Sequence, residues 1–474
     1  LIPITEFKGR DVAVFGLARS GLTAARALMA GGARVHAWDD KAETRAAAEA
    51  EGLTLSDINA RDWRGFAALI LSPGIPLHLP KPHRVVELAR AVGVPIIGDI
   101  ELFARAVNAL SPAQRPKIVG VTGTNGKSTT TALIGHILKQ AGKDVRVGGN
   151  IGAGVLGLDS LHAGAIYVLE LSSYQLDLTE SLRCAVGVFL NLTPDHLDRH
   201  GTMAGYHSAK MRLFRNQGAG DWAVIGVDDS YGVETLSQLS ATARDVAAIS
   251  ASSALSRGVS VLGGRLYDSL SRRAEPVLDM SDAPALPGRH NAQNAAAAYA
   301  ATRALGLSPR AIGDGLRSFP GLAHRHESVA TIDGVRFIND SKATNADAAA
   351  QALSIHQDNI YWIAGGVAKD GGIESLRRFF PRIAKAYLIG ASAQDFAKTL
   401  RGDSVAYDMS EDLAGAVARA FSDARASGKP GAVVLLSPAC ASFDQFVDFE
   451  ARGDHFKHCV AALGAALRER KESA

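Results

Sequence analysis

The chain has 474 residues, a length that corresponds to about three domains at roughly 150 residues each and excludes a small module stapled by disulfides or zinc. Apolar residues make up 47% and charged residues 21%, the usage of a chain that folds throughout rather than of a disordered one. Lys and Arg outnumber Asp and Glu by 51 to 48, and a net charge of +3 over this length sets up no field that would draw nucleic acid or a membrane surface.

Residues 1–7 lack the basic stretch and long apolar core of a secretory leader, and the absence of an initiator Met suggests a trimmed start. From Asp11 onward, short apolar runs alternate with helix-like stretches, the pattern of a mostly parallel sheet with crossover helices. The predicted strand at 12–15 enters Gly16-Leu17-Ala18-Arg19-Ser20-Gly21 and then a helix, with Asp39 after the next strand: a Rossmann-like unit. Ala18 fills the middle position of GxGxxG, where a β-carbon obstructs the close backbone approach of a dinucleotide pyrophosphate. The helix N-terminus can receive NAD(P), another phosphate-bearing ligand, or nothing, and the turn alone does not choose among them. A strand at 69–71 ends in Ser72-Pro73-Gly74, either a plain tight turn or a second wall of the same crevice. Residues 106–117, rich in Pro and small polar side chains, read as a linker.

The strand at 118–121 runs into Thr122-Gly123-Thr124-Asn125-Gly126-Lys127-Ser128-Thr129 and an amphipathic helix carrying Leu133, Ile134, Ile137 and Leu138. Val121 stands where GxxxxGK[ST] requires glycine, yet the parts of a phosphate loop are present. Glycines let backbone N–H groups face a polyphosphate, Lys127 can reach its outer phosphates, and Ser128 or Thr129 can hold Mg²⁺. Further strands are predicted at 167–171, 186–190, 222–227, 361–364, 386–389 and 433–436. Glu170, inside an apolar run, is either a salt-bridged core acid or a metal ligand. His196, in NLTPDHLDRH, is either a loop histidine or a ligand. An Ala-rich helix beginning around Asn294 precedes a second boundary near Pro320 and Gly321, so the predicted domains are 1–107, 108–322 and 323–474. Cys184, Cys440 and Cys459 are too few and too scattered for a disulfide framework or a paired-cysteine metal site, which fits a reducing cytoplasm.

The motifs TGTNGKST, ELSSYQL, NLTPDHLDRH, GRHNAQN, INDSKATN and SPACASFDQF follow one another in this order. Together they resemble the Mur ligases of peptidoglycan precursor synthesis over nearly the whole chain. Lys127 is followed directly by Ser128, unlike in folylpolyglutamate synthases, and no DNPR motif of the diaminopimelate-adding branch occurs, so the glutamate-adding branch is nearest. The resemblance implies an α/β chain of three domains: an N-terminal Rossmann-like domain for a UDP-linked substrate, a central P-loop ATPase-like domain with a mostly parallel sheet, and a C-terminal Rossmann-like α/β domain for an amino acid. It also implies ATP and two Mg²⁺ ions, UDP-N-acetylmuramoyl-L-alanine and D-glutamate as substrates, and an acyl phosphate between them. A cytoplasmic monomer without nucleic-acid or membrane partners is expected. An NAD-dependent oxidoreductase would explain only the first 100 or so residues, and a nucleotide switch would leave INDSKATN and SPACASFDQF without a role.

By the same resemblance, Gly123, Thr124, Asn125, Gly126, Lys127, Ser128 and Thr129 hold the nucleotide with Asn291, Asn294, Arg325, Asp340 and Lys342. Asn291 and Asn294, spaced i and i+3, can share a helix face and grip one adenine. Asp340 and Lys342 follow a predicted hairpin around Asp333-Gly334. Ser128 and Glu170 would bind one Mg²⁺, and His196 with a carbamylated Lys210 the second; Lys127, Lys210 and His196 form the catalytic set. Without the resemblance Lys210 reads as an exposed cation. Arg19, Ser20, Ser72 and Asn150 would meet the UDP substrate, although Asp40-Lys41 stands where some relatives have a Thr-Arg pair. Thr344, Lys369, Ser442, Phe443 and Phe449 would meet the amino acid, the two phenylalanines reading otherwise as core aromatics.

Overall fold

The structure, a computed structural model, describes residues 1–271, 273–368 and 371–472. It forms two compact units, Leu1–Phe319 and Pro320–Ala474.

The first unit contains two sheets. Four parallel strands stand in the order Arg34–Trp38, Asp11–Phe15, Phe66–Leu71, Ile96–Ile97. The helix Arg19–Ala30 leaves the first of these in sequence, and Gly21 on it is packed so closely that a β-carbon there would lie 1.7 Å from the Gly16 carbonyl oxygen. The second sheet has nine strands in the order Glu275–Asp279, Arg265–Asp268, Gly258–Leu262, Asp245–Ser250, Trp222–Gly226, Val186–Phe189, Lys117–Thr122, Ala165–Glu170, Asp144–Gly149. All pairings are parallel except those of the two strands at the Glu275–Asp279 edge. Strands such as Ala165–Glu170 are buried along their whole length, as parallel strands covered on both faces must be. One apolar cluster runs from Val12 and Val14 of the first sheet through Phe103 to Tyr167 and Ile225 of the second, which ties the two sheets into one unit.

The predicted strands of this unit are present. The sequence reading named none between 227 and 320, where short runs that mix apolar with small, polar or charged residues form four strands of the large sheet. The helix expected to begin around Asn294 starts at Arg289, because Gly288 at φ +83° turns the chain and its polar first turn faces the phosphate loop. The helix Lys127–Gln140 buries Leu133, Ile134, Ile137 and Leu138 as expected. It also buries Ser128, Thr130, Thr131 and Gly135, since the helices Arg289–Ala304 and Pro309–Arg317 pack on it as well.

The second unit has a six-stranded sheet in the order Glu327–Ile332, Val335–Asn339, Val433–Leu436, Ile360–Gly365, Ile383–Ile389, Tyr407–Met409, parallel except for the first pair. That first pair is the hairpin predicted around Asp333-Gly334, with Asp333 at φ +46° and Gly334 at φ +81° in its turn. Apolar side chains fill both faces: Trp362 and Leu435 pack with Leu353, Phe380 and Phe396, and Phe337 and Tyr387 with Val417, Phe421 and Phe456. Both units are thus α/β with mostly parallel sheets. Among the described residues, no helix is long and apolar enough to cross a membrane.

Candidate active site

At the carboxyl end of Lys117–Thr122 the chain makes the loop 123–126 and enters the helix Lys127–Gln140. Gly126 has φ +84°, and a β-carbon on it would lie 2.2 Å from Asn294 Oδ1, so both conformation and space require glycine here. Asn191, just past the neighbouring strand, braces the loop: its carbonyl accepts from Thr124 N at 2.9 Å, its Oδ1 accepts from Asn125 N at 2.9 Å, and its Nδ2 donates to Asn125 O at 3.2 Å. Behind the loop, Asn294 Oδ1 accepts from Thr130 Oγ1 at 3.2 Å, and Asn294 Nδ2 donates to Asn291 Oδ1 at 3.0 Å. The two asparagines therefore do share a helix face, at the base of the phosphate loop.

Two lysines converge on one carbonyl. Lys127 Nζ donates to Gly123 O at 3.0 Å and to Thr124 O at 2.7 Å, while Lys210 Nζ donates to Gly123 O at 2.8 Å. Lys210 is 1% exposed, the reverse of a solvated cation, and its amine lies 4.5 Å from the centre of the Tyr206 ring. Burial and the neighbouring Lys127 ammonium push Lys210 well below the ordinary lysine value, against a smaller pull from Asp195 and Glu170. Both influences disfavour its ammonium form.

Glu170 is 3% exposed and forms no ion pair among the described residues, so it is not a salt-bridged core acid. Its Oε1 accepts from Asn150 Nδ2 at 2.6 Å; its Oε2 is buried without a hydrogen-bond partner. A buried carboxylate oxygen left unsatisfied is costly unless a cation uses it. His196 caps the short helix Leu197–His200 with φ +54°, and its Nδ1 lies 2.9 Å from the Tyr174 hydroxyl. Tyr174 is held by the capping box of ELSSYQL, in which Ser172 and Gln175 exchange hydrogen bonds around the start of Ser173–Asp177. Partial burial lowers the His196 pKa; Asp195 opposes the shift, and the Lys127 and Lys210 charges add to it, which favours neutral imidazole.

Lys127, Asn150, His196 and Lys210 border one cavity of about 750 Å³ in the first unit together with Gly16, Arg19, Ser20, Ser72 and Gly74, and Arg19 Nη2 donates to Asn150 O at 3.3 Å. Both glycine turns therefore face the same space as the phosphate loop. No side chain caps the first turn of Arg19–Ala30, so its N–H groups suit a diphosphate. Asp39, where a dinucleotide fold uses an acid to hold ribose, instead accepts from Leu17 N at 2.7 Å and Lys41 N at 2.9 Å and is spent on the turn itself.

The second unit has its own cluster at the carboxyl ends of its strands. Asp340 accepts from the Ser437 hydroxyl at 2.8 Å and from His326 N at 3.1 Å, and burial pushes its pKa up to about 7. Lys342 Nζ stands 3.7 Å from the centre of the Phe449 ring, and Thr344 N donates to Lys342 O at 2.8 Å. The strand pair Val367–Ala368 and Cys440–Ala441 brings buried Ser442 beside the end of Ile360–Gly365. Phe443, 74% exposed, is no core aromatic. Lys369 lies outside the described residues.

Two family models match the chain, the Mur ligase middle domain over residues 121–302 and the Mur ligase glutamate ligase domain over residues 324–440. The chain is 60% identical over 464 residues to a UDP-N-acetylmuramoylalanine--D-glutamate ligase of Phenylobacterium zucineum, covering 98% of each. The chain belongs to the Mur ligase family. A protein of the same name from Caulobacter sp. strain K31 is 59% identical over 471 residues, 99% of this chain and 100% of that one. The crystal structure of the UDP-N-acetylmuramate-alanine ligase of Thermotoga maritima shares the fold, with a TM-score of 0.60 at 17% identity over 96% of this Mur ligase and 99% of that chain.

Several residues of this Mur ligase site were not singled out from sequence. Asn191 opens NLTPDHLDRH directly after an apolar strand, a position that marks it as a strand-end polar group. Tyr206 places its hydroxyl 3.3 Å from Thr124 Oγ1, and burial pushes its pKa up to about 12. Arg199, buried, donates to the carbonyls of Pro73 at 3.1 Å, Gly74 at 3.3 Å and Ile75, with its guanidinium 4.9 Å from the Tyr174 ring centre. Nothing in the local sequence of Arg199 announces that reach across 124 to 126 positions. Among the described residues no three His, Cys, Asp or Glu side chains form a ready metal cage. The buried, unpartnered Glu170 Oε2 beside the phosphate loop nevertheless fits Mg²⁺, which takes few protein oxygens.

Proposed function

We propose that this Mur ligase joins D-glutamate to UDP-N-acetylmuramoyl-L-alanine at the expense of ATP, as a cytoplasmic monomer working in peptidoglycan precursor synthesis through domains 1–107, 108–322 and 323–474. The observation that carries the reading is the cavity that the diphosphate-type turns line together with Lys127, Lys210 and His196. It spans a substrate whose diphosphate and reacting carboxylate lie far apart.

In this reading Arg19, Ser20 and Ser72 hold the diphosphate, and Asn150, oriented by Glu170, meets the alanyl carboxylate. The carboxylate oxygen attacks the γ-phosphorus, the bond to the β–γ bridging oxygen breaks, and ADP leaves with an acyl phosphate formed. The glutamate amine then attacks the acyl carbon, phosphate departs, and the amine proton is lost as the amide forms. Carboxylate and triphosphate repel one another, so the chain must gather positive charge and oriented amides around the transferring group. Lys127 and the 123–129 backbone do so, with Asn291 and Asn294 at the adenine and Arg325, Asp340 and Lys342 as nucleotide contacts of the second unit. Ser128 and Glu170 would hold one Mg²⁺, and His196 and carbamylated Lys210 another. When bound, the ions neutralise phosphate charge as it shifts. Thr344, Lys369, Ser442, Phe443 and Phe449 receive the amino acid.

The test is ADP release measured with each substrate omitted in turn and with D- or L-glutamate supplied. Release that needs ATP, UDP-N-acetylmuramoyl-L-alanine and D-glutamate together is expected. Release indifferent to the UDP substrate, or equal with both glutamate enantiomers, overturns the reading.

A further inference from the structure

Each described candidate contact for the amino acid lies within three residues of Arg452 or of a group that its side chain holds. This residue stands in the first turn of the helix Phe449–Glu472 and is 1% exposed. Its Nε donates to Ser341 Oγ at 2.9 Å, and its Nη2 donates to Ser341 O at 2.8 Å and to Cys440 O at 3.0 Å. Ser341 Oγ in turn donates to Phe449 O at 2.8 Å. The segments carrying Thr344, Ser442, Phe443 and Phe449 thus meet at one guanidinium.

All three acceptors are neutral, and among the described residues no carboxylate forms an ion pair with Arg452. Its Nη1 is buried without a hydrogen-bond partner. That nitrogen points to Gly366, where a β-carbon would lie 3.3 Å away, just past the end of Ile360–Gly365. Open α/β sheets bind ligands at the carboxyl ends of their strands. Asp444, whose charge favours the Arg452 cation without an ion pair to it, accepts from Ala391 N at 2.8 Å through its Oδ2. Burial lowers the Arg452 pKa to about 10, which leaves the group charged at neutral pH. Tying three segments together needs hydrogen bonds, not charge, and among the described residues no carboxylate pairs directly with this buried cation, which only the Asp444 charge and the Cys440 thiol favour from nearby. The charge is surplus to the packing role, and an incoming dicarboxylate supplies what it lacks.

We infer that Arg452 is a positioning residue for the amino-acid substrate: it sets the 341–344 and 440–443 segments in register and gives them a standing positive potential that selects a carboxylate. The inference rests on the ligase reading above and adds a residue and a charge requirement to it. Arg452→Lys keeps the charge without the fork, and Arg452→Met removes both. The measurements are the KM values for D-glutamate, ATP and the UDP substrate, kcat, and the thermal midpoint.

Arg452→Met is expected to raise the D-glutamate KM tenfold or more, with the ATP and UDP-substrate KM values within twofold of the parent, and Arg452→Lys to fall between. A merely structural role would move all three KM values together or lower kcat alone, and either result overturns the inference. Ser341→Ala removes only the hydroxyl between the guanidinium and Phe449 O, and keeps the test open if the Arg452 variants do not fold. It is expected to raise the D-glutamate KM at least threefold, and an unchanged value overturns the inference. The parent enzyme is assayed first. No D-glutamate-dependent ADP release by it overturns the ligase reading and this inference with it, whereas release with unselective effects of the variants overturns this inference alone.

Discussion

Replacing Glu170 with Gln separates the cost of a buried carboxylate from its use. The amide oxygen can keep the Asn150 bond that Glu170 Oε1 makes, while the unpartnered, charged Oε2 becomes an uncharged NH₂. An unsatisfied buried polar group costs about 1–3 kcal/mol, and more when charged. The NH₂ is itself left without a partner, so only the part of the cost due to charge is relieved, and without metal Glu170→Gln is expected to be more stable than the parent by about 1 kcal/mol. In a unit as long as Leu1–Phe319, each kcal/mol moves the thermal midpoint by about 2 °C, so calorimetry in EDTA should show a rise of about 2 °C. Mg²⁺ with nucleotide reverses the order: a ligand at 100 times its Kd adds about 2.7 kcal/mol to the parent, or about 5 °C, and the Mg²⁺-dependent part of that shift should be lost in the variant. The assay is a Mg²⁺ titration at fixed nucleotide, followed by the midpoint of the first unit. A variant less stable than the parent in EDTA that still gains the full Mg²⁺ shift would refute the argument that Oε2 is a metal ligand.

Lys210→Ala is expected to lose most activity and to regain part of it in excess acetate, which supplies the anionic group, whereas Lys210→Arg stays inactive because guanidinium does not take up CO₂ as a lysine amine does. Full activity in Lys210→Arg, read by ADP release, ends the carbamate reading. Gly126→Ala adds about 1 kcal/mol of left-handed backbone strain and sets a β-carbon 2.2 Å from Asn294 Oδ1. The ATP KM should rise at least tenfold with an unchanged circular dichroism spectrum, and a parental ATP KM would show that this loop does not grip the nucleotide.

The parts of the site legible in the sequence are those written locally. The phosphate loop could be read despite Val121, because its glycines, Lys127 and the following apolar helix carry the mechanism within a few residues. The Asp333-Gly334 hairpin was legible because two consecutive positive-φ positions need such residues. Asn191, Arg199 and Arg452 were not legible, since each matters through partners tens to more than a hundred positions away. The strands between 245 and 279 escaped for another reason: they are four to six residues long and mix small, polar or charged residues with their apolar ones, so no long apolar run marks them. Lys210 illustrates the remaining gap: Tyr206 stands one turn earlier on its own helix, but the Gly123 carbonyl that receives its amine lies 87 positions away, and nothing in the helix announces that contact.

The hold of Arg199 on the turn after Phe66–Leu71 has a practical consequence for engineering. It grips Pro73, Gly74 and Ile75 only by their main-chain oxygens, so it reads the path of the turn and is indifferent to which side chains the turn displays. Substitutions at 73 and 75 that keep the path of the turn accordingly leave the anchoring intact. A library built at 199 would scramble the mount instead of the tool.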